Sequence, residues 1–121
     1  MKDIARKHYT QIEGTLSDTN AVTLQREAAG QICLCISGND RPAIALAQTA
    51  HSIWTIPKDK DNFIGYNNIS FIERIDGLEE GFFDLLFLDE DYCAYPENVK
   101  KEGTIFVMSN GVIEKRNNEE L

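Results

Sequence analysis

Three acidic side chains that could do chemistry follow directly on a predicted strand. Asp89, Glu90 and Asp91 come immediately after the apolar run Leu85–Leu88. The carboxyl ends of strands in an open α/β sheet form the usual ligand crevice, and crowded carboxylates raise one another's pKa or attract a cation. The same residues also suit a hydrophilic turn that caps the following helix, and this is the interpretation we favour.

Histidine, cysteine and glycine patterns offer no second set of reactive groups. His8 and His51 are the only histidines, and each fits a structural or solvated position. Cys33 and Cys35 lie in a continuous apolar run, which indicates buried, reduced thiols in a cytosolic protein. The sequence contains no CxxC pair, P-loop or Gly-x-Ser-x-Gly elbow, the local patterns of zinc sites, phosphate cradles and serine hydrolases.

Length and charge restrict the class of protein. The chain has 121 residues, of which 42% are hydrophobic, enough for one domain with a buried core. Its formal net charge of −8 repels phosphate backbones and anionic lipid, so we expect no nucleic-acid or membrane partner. No window approaches the roughly 18 apolar residues of a membrane-spanning helix, and the first residues lack the apolar run of a signal peptide. We therefore expect a cytoplasmic protein.

Alternating strand and helix patterns predict the architecture. Residues 1–30 show helical spacing in two segments separated by Gly14, and Pro42 suits the first turn of a further helix. Strands separated by crossover connections imply a parallel sheet. We therefore predict an α/β, Rossmann-like fold that has a mainly parallel five-stranded sheet, flanking helices and two N-terminal helices. The predicted strands are the apolar runs at 32–36, 52–56, 69–72, 84–89 and 104–108. The chain is predicted to be one domain over 1–121, with a helical lead-in at 1–30, a sheet core at 31–113 and a frayed tail at 114–121.

Two segments resemble a known family of enzymes. Phe83–Tyr92 reads FDLLFLDEDY, and Lys101–Asn110 reads KEGTIFVMSN. They are similar to the fourth and fifth strands of class I S-adenosylmethionine-dependent methyltransferases, closest to the catechol-type O-methyltransferases with their strands "FDLVFIDAD" and "GGLIVVDN". The order of segments from Ile32 to Asn110, about two-thirds of the chain, also fits. The resemblance implies a Rossmann-like fold and S-adenosylmethionine as cofactor, on a truncated chain with a degraded glycine loop.

The resemblance also implies which residues would contact the cofactor. Gly38 is the one glycine in Ile36–Pro42, the stretch that corresponds to the family's glycine-rich loop. Asp59 would replace the acidic residue that accepts hydrogen bonds from the ribose, and Asp76 the acidic residue near the adenine. Asp89 completes this cofactor-binding set. A solvated loop charge is the alternative interpretation of Asp59 and of Asp76.

A magnesium site is a further implication of the resemblance. The catechol-type enzymes hold the ion with an aspartate after the fourth strand and an aspartate–asparagine pair after the fifth. Asp89 matches the first ligand and Asn110 the last, while Ser109 stands where the middle aspartate belongs. Because magnesium prefers hard oxygen ligands that include carboxylates, the resemblance implies at most a weak site at Asp89 and Asn110.

Two functions fit these observations. The first is a methyltransferase-like domain that binds S-adenosylmethionine or a related adenine ligand; the truncated fold and the degraded glycine loop argue against catalysis. The alternative is a non-enzymatic, acidic interaction or regulatory protein on a degenerate methyltransferase scaffold. The family's chain continues past the fifth strand, so we expect that strand to form an exposed sheet edge. A protein partner or a second copy could bind there.

Overall fold

The computed structural model of the protein describes residues 16–74, 77–89, 98–109 and 111–117. The predicted first N-terminal helix falls within 1–15 and lies outside the described residues. The described elements are, in chain order, helix α1 (Asp18–Ala28), β1 (Ile32–Ile36), α2 (Arg41–Ala47), β2 (Ser52–Thr55), a 3₁₀ turn (Lys60–Phe63), β3 (Ile69–Phe71), β4 (Phe83–Asp89), β5 (Val99–Ser109) and β6 (Val112–Asn117).

The strands form a single sheet of six, in the order β3-β2-β1-β4-β5-β6. β1 to β5 run parallel and β6 runs antiparallel to β5, which confirms the predicted α/β, Rossmann-like fold. The predicted count of five strands and the expected open edge at the fifth strand are both wrong, because β6 pairs with β5 and forms the edge instead. Residues 114–117, predicted as part of a frayed tail, pair with β5. Gly111, with a φ of +78° that side chains disfavour, belongs to the turn that brings β6 back along β5.

The central position of β1 explains its unbroken run of apolar residues. β1 pairs with β2 on one side and β4 on the other, and Cys33–Ile36 are buried. A central strand of a parallel sheet is covered on both faces, so it needs apolar side chains at every position. The chain places β2 and β3 on one side of β1 and β4 to β6 on the other. The carboxyl end of β1 is therefore the topological switch point, where open α/β sheets bind ligands.

Both faces of the sheet are covered by apolar side chains. Ser17 caps α1 by accepting the Asn20 N–H on its Oγ at 3.1 Å, and α1 and α2 then pack on one face. On the other face, the Trp54 ring meets Phe82 and Phe83 edge-on, with ring centroids 5.3 Å and 5.6 Å away. The buried residues on the face covered by α1 and α2 include Leu24, Leu46, Phe87 and Phe106. The buried residues on the other face include Leu34, Leu86 and Ile105.

Asp84 of β4 connects the amino ends of β1, β4 and β5 through two side-chain contacts. Its Oδ2 accepts the Ile32 N–H of β1 at 2.9 Å, and its Oδ1 lies 2.8 Å from the Lys100 Nζ of β5. Burial opposes ionisation of this carboxyl, but the hydrogen bonds from Lys100 and Ile32 and the Lys100 charge outweigh it, so its pKa is lowered. Asp84 thus links β1, β4 and β5 at the end of the sheet opposite the candidate site.

Candidate functional site

A cleft opens at the carboxyl ends of β1 and β2. Its volume is about 250 Å³. The walls combine apolar side chains with polar groups. One wall is formed by Ile36 at the end of β1 and by Ser37 and Gly38 of the following loop, and the other by Ile56, Pro57 and Lys58 after β2. The cleft therefore lies beside the switch point, where the topology alone places a ligand crevice.

Asp89 holds the loop that follows β1. The Asp89 Oδ2 accepts a short hydrogen bond from the Ser37 hydroxyl and a second, of 3.0 Å, from the Gly38 N–H. The Ser37 Oγ in turn accepts the Asn39 N–H at 3.3 Å. The carboxylate at the end of β4 therefore satisfies polar groups of the chain itself and fixes the loop that forms one wall of the cleft.

Asp40 joins the two loops that enclose the cleft. This side chain is only 3% exposed. Its Oδ1 accepts the Lys58 N–H at 2.8 Å, and its Oδ2 accepts the Asp59 N–H and the Asn62 side-chain N–H, each at 2.9 Å. A buried carboxylate is stable only when such donors replace water. Asp40 therefore couples the position of the loop after β2 to the loop after β1.

The structure brings together some of the residues predicted for the cofactor. Gly38 lines the cleft and Asp89 binds its N–H group. Asp59 is next in the chain to the lining residue Lys58, but its exposed carboxylate accepts the Asp61 N–H at 3.0 Å and caps the 3₁₀ turn. Asp76 lies outside the described residues, so its predicted role stays a prediction.

The predicted metal ligands are only partly described. Asp89 is placed at the end of β4, whereas Asn110, Glu90 and Asp91 lie outside the described residues. Within the described ranges, no group of three or more His, Cys, Asp or Glu side chains is arranged to hold a metal ion. The magnesium site stays a prediction.

Two residues of the site were not among the predicted ones. Ser37 and Asp40 make the contacts that shape the cleft. The structure shows no side-chain cap hydrogen bond from Asp40 to α2. A polar residue directly after a buried strand is the signal that could have marked Ser37, and Asp40 follows in the same loop.

The buried cysteines supply no nucleophile to this site. Cys33 and Cys35 are free thiols and fully buried, as predicted. Burial, with a smaller contribution from the Asp84 charge, raises the pKa of Cys33 to about 12, and burial raises the pKa of Cys35 well above its usual value. Both thiols therefore stay protonated and act as packing groups.

A second cavity, of about 300 Å³, lies on the helical face. It is larger than the strand-end cleft and lies between α1 and α2. Its lining includes Leu16, Ala21, Arg41, Ile44 and Gln48. The strand-end cleft is lined instead by the loops after β1 and β2, where parallel sheets bind ligands, so we take it as the candidate functional site.

Comparison with known proteins identifies the fold. No family model matches the chain, and no curated protein does. Solved structures do match. A methyltransferase from Geobacter sulfurreducens has a TM-score of 0.62 at 12% identity, over 86% of this chain and 67% of that one. An S-adenosylmethionine-dependent O-methyltransferase from Thermotoga maritima has a TM-score of 0.55 at 20% identity, over 72% and 40%.

A third structure is phosphoethanolamine N-methyltransferase 1 from Haemonchus contortus, in complex with phosphoethanolamine and S-adenosylhomocysteine. It has a TM-score of 0.55 at 15% identity, over 67% of this chain and 22% of that one. The chain thus spans half the length or less of six of the structures it matches. The chain has a class I methyltransferase-like fold, and identity this low shows the fold alone. No helix in the described part of the chain is long and apolar enough to cross a membrane.

Proposed function

We propose that this methyltransferase-like domain binds S-adenosylmethionine or a related adenine-containing ligand in the strand-end cleft, without catalysing methyl transfer. The position of the cleft carries the proposal. It opens at the ends of β1 and β2, beside the switch point of the sheet, where open α/β sheets bind nucleotide-like ligands.

The chemistry of the cleft suits an adenosyl group. Ile36, Ile56 and Pro57 offer apolar walls to the faces of a purine ring. Asp89 at the end of β4 contributes negative charge beside the cleft, and Lys58 in the lining contributes positive charge. These two charges are placed to contact the polar groups of such a ligand.

Two observations argue against methyl transfer. The cleft of about 250 Å³ is smaller than the roughly 300–1,000 Å³ of typical ligand pockets, so it suits an adenosyl group better than a whole cofactor with a methyl acceptor. The Ser37 hydroxyl and the Gly38 N–H also donate hydrogen bonds to Asp89. These two donors are therefore already engaged and do not bind the amino-acid part of the cofactor. Ligand binding without catalysis is the function these contacts support.

Isothermal titration tests this proposal directly. Wild-type protein is titrated with S-adenosylmethionine, S-adenosylhomocysteine and adenosine. Gly38→Val adds bulk in the cleft, and we expect it to weaken binding by about tenfold or more, equivalent to about 1.4 kcal/mol. Ala21→Val adds similar bulk beside the helical-face cavity and should leave binding unchanged.

The outcomes of the titration are distinct. Absence of heat from the wild type with all three ligands at high micromolar concentration would refute the proposal, as would full-strength binding by Gly38→Val. Repeating the titration with magnesium tests the proposed weak metal site at Asp89 and Asn110. Tighter binding in magnesium that is lost in Asn110→Ala would support that site.

A non-enzymatic interaction protein is the second candidate. Phe71 on the edge strand β3 is 41% exposed and Val112 on the edge strand β6 is 65% exposed. Apolar side chains at open sheet edges are typical of contact with another chain, and the net charge of −8 favours a basic partner. A partner captured by the wild type and lost by Phe71→Ser with Val112→Ser would support this candidate. Equal capture by both would refute it.

A further inference from the structure

The outer edge of β6 has main-chain groups that no neighbouring strand of the described sheet satisfies. β6 is the last strand in the sheet and pairs only with β5. In an antiparallel ladder, every second residue directs its N–H and C=O away from its partner. Such an edge is a template for pairing with a strand of another chain.

The charged residues of β6 are divided between the two faces of the sheet. Glu114 and Arg116 lie opposite Val107 and Ile105 of β5, on the face away from α1. Their side chains are 62% and 42% exposed, and the Arg116 Nε donates to the Glu114 Oε1 at 2.6 Å. Lys115 lies on the other face.

Lys115 is already neutralised by α1. Its Nζ lies 3.2 Å from the Glu27 Oε1. The lysine therefore carries its own counter-ion from the same chain, and a second lysine beside it would meet a pair of charges that nearly cancels. This removes most of the repulsion that a lysine–lysine contact would cause.

The charge pattern of β6 is self-complementary in one two-fold register. An axis perpendicular to the sheet through Lys115 places Glu114 of each copy opposite Arg116 of the other. Residues directly opposite in an antiparallel pair have Cβ atoms about 5 Å apart, within reach of an ion pair. An axis through Glu114 instead would set the two glutamates against each other, and an axis through Ile113 would set Glu114 opposite Val112. The charges therefore favour the Lys115 register.

We propose that β6 pairs antiparallel with β6 of a second copy in this register, joining two six-stranded sheets into one. The guanidinium of Arg116 has five N–H donors, so it can bind Glu114 of its own chain and of the second copy together. The interface involves one short strand from each copy and is small, which implies a weak dimer. The proposal does not depend on ligand binding in the cleft.

Sedimentation velocity with two charge variants tests the dimer. Glu114→Arg makes both positions positive, and Arg116→Glu makes both negative. Each variant alone should be monomeric at concentrations where the wild type dimerises. An equimolar mixture should form a heterodimer, because each arginine then faces a glutamate. Repair of charges within one chain cannot explain this rescue, because neither chain changes on mixing.

A matched control comes from the opposite edge of the sheet. Ser70→Arg adds a charge to the edge strand β3 and should leave the wild-type dimer intact. A wild type that stays monomeric at high micromolar concentration would overturn the proposal, as would a mixture that stays monomeric. The charges would then serve to keep the edge unpaired.

Hydrogen exchange of the wild type provides a test that needs no variant. The β6 amides directed away from β5 should exchange more slowly as the protein concentration rises. The β6 amides that already bond to β5 should show no such concentration dependence. Exchange of all β6 amides that is independent of concentration would contradict the dimer, whether or not the variants fold.

Discussion

The buried carboxylate of Asp40 offers the sharpest test of how the cleft is built. It accepts three hydrogen bonds, from the Lys58 N–H, the Asp59 N–H and the Asn62 side chain. Hydrogen bonds to a charged group contribute about 1.5–3 kcal/mol each. All three donors belong to exposed residues, and water can reach them once the carboxylate is gone. The free energy lost is therefore smaller than the sum of the three hydrogen-bond contributions. We expect Asp40→Ala to lower the free energy of unfolding by about 3 kcal/mol.

The assay is urea unfolding at neutral pH, followed by the fluorescence of Trp54, the single tryptophan. Asp40→Asn keeps one acceptor oxygen and should cost less than Asp40→Ala. Asp61→Asn removes an exposed carboxylate from the same loop and should change stability by less than about 0.5 kcal/mol. If Asp40→Ala is as stable as Asp61→Asn, then Asp40 does not hold the two loops together and the account of the cleft is wrong.

The remaining predictions concern other parts of the chain. Lys100 and the Ile32 N–H lower the folded-state pKa of Asp84. The stabilisation by this carboxylate is therefore present above the unfolded-state carboxyl pKa and is lost as pH falls through the lowered value. Urea unfolding at several pH values should show that the stability difference between wild type and Asp84→Asn shrinks in acid. Cys33 and Cys35, buried and with raised pKa values, should resist alkylation in native protein and react in urea, as peptide mapping would show; rapid native labelling would contradict their burial. Gly103→Ala should destabilise the protein by about 1–3 kcal/mol in thermal unfolding. The added Cβ of the alanine would lie 2.9 Å from the Lys100 carbonyl oxygen and 3.0 Å from the Asp84 carbonyl oxygen. A variant as stable as the wild type would refute this prediction.

The candidate site was partly predictable. Gly38 and Asp89 follow the apolar runs of β1 and β4, and such positions meet at one edge of a parallel sheet. Their direct hydrogen bond joins residues 51 positions apart, and no local pattern specifies it. The resemblance predicts that Asp59 contacts the ribose, and this stays a prediction; in the structure its carboxylate caps the 3₁₀ turn. Whether an acidic side chain faces the cleft or its own loop depends on local donors that spacing does not reveal.

The sixth strand shows a different limit. Asn110-Gly111 is a strong turn signal of the hairpin kind, but residues 114–121 are mostly charged and indicate a tail. The strand forms because β5 presents an open edge to it and α1 supplies Glu27 to Lys115. Pairing with an existing edge can override a weak strand preference.

Local sequence determined the types of the elements from α1 to β5, the unbroken burial of β1 and the parallel arrangement of the first five strands. Runs of apolar residues and turn residues act on their immediate neighbours, so their effect is visible without the fold. The tertiary structure alone decided that Asp40 meets Lys58, 18 residues away, and that Ser37 meets Asp89, 52 residues away. These contacts form only after strands distant in sequence have paired, because the sheet brings their loops together and excludes water from the carboxylate between them.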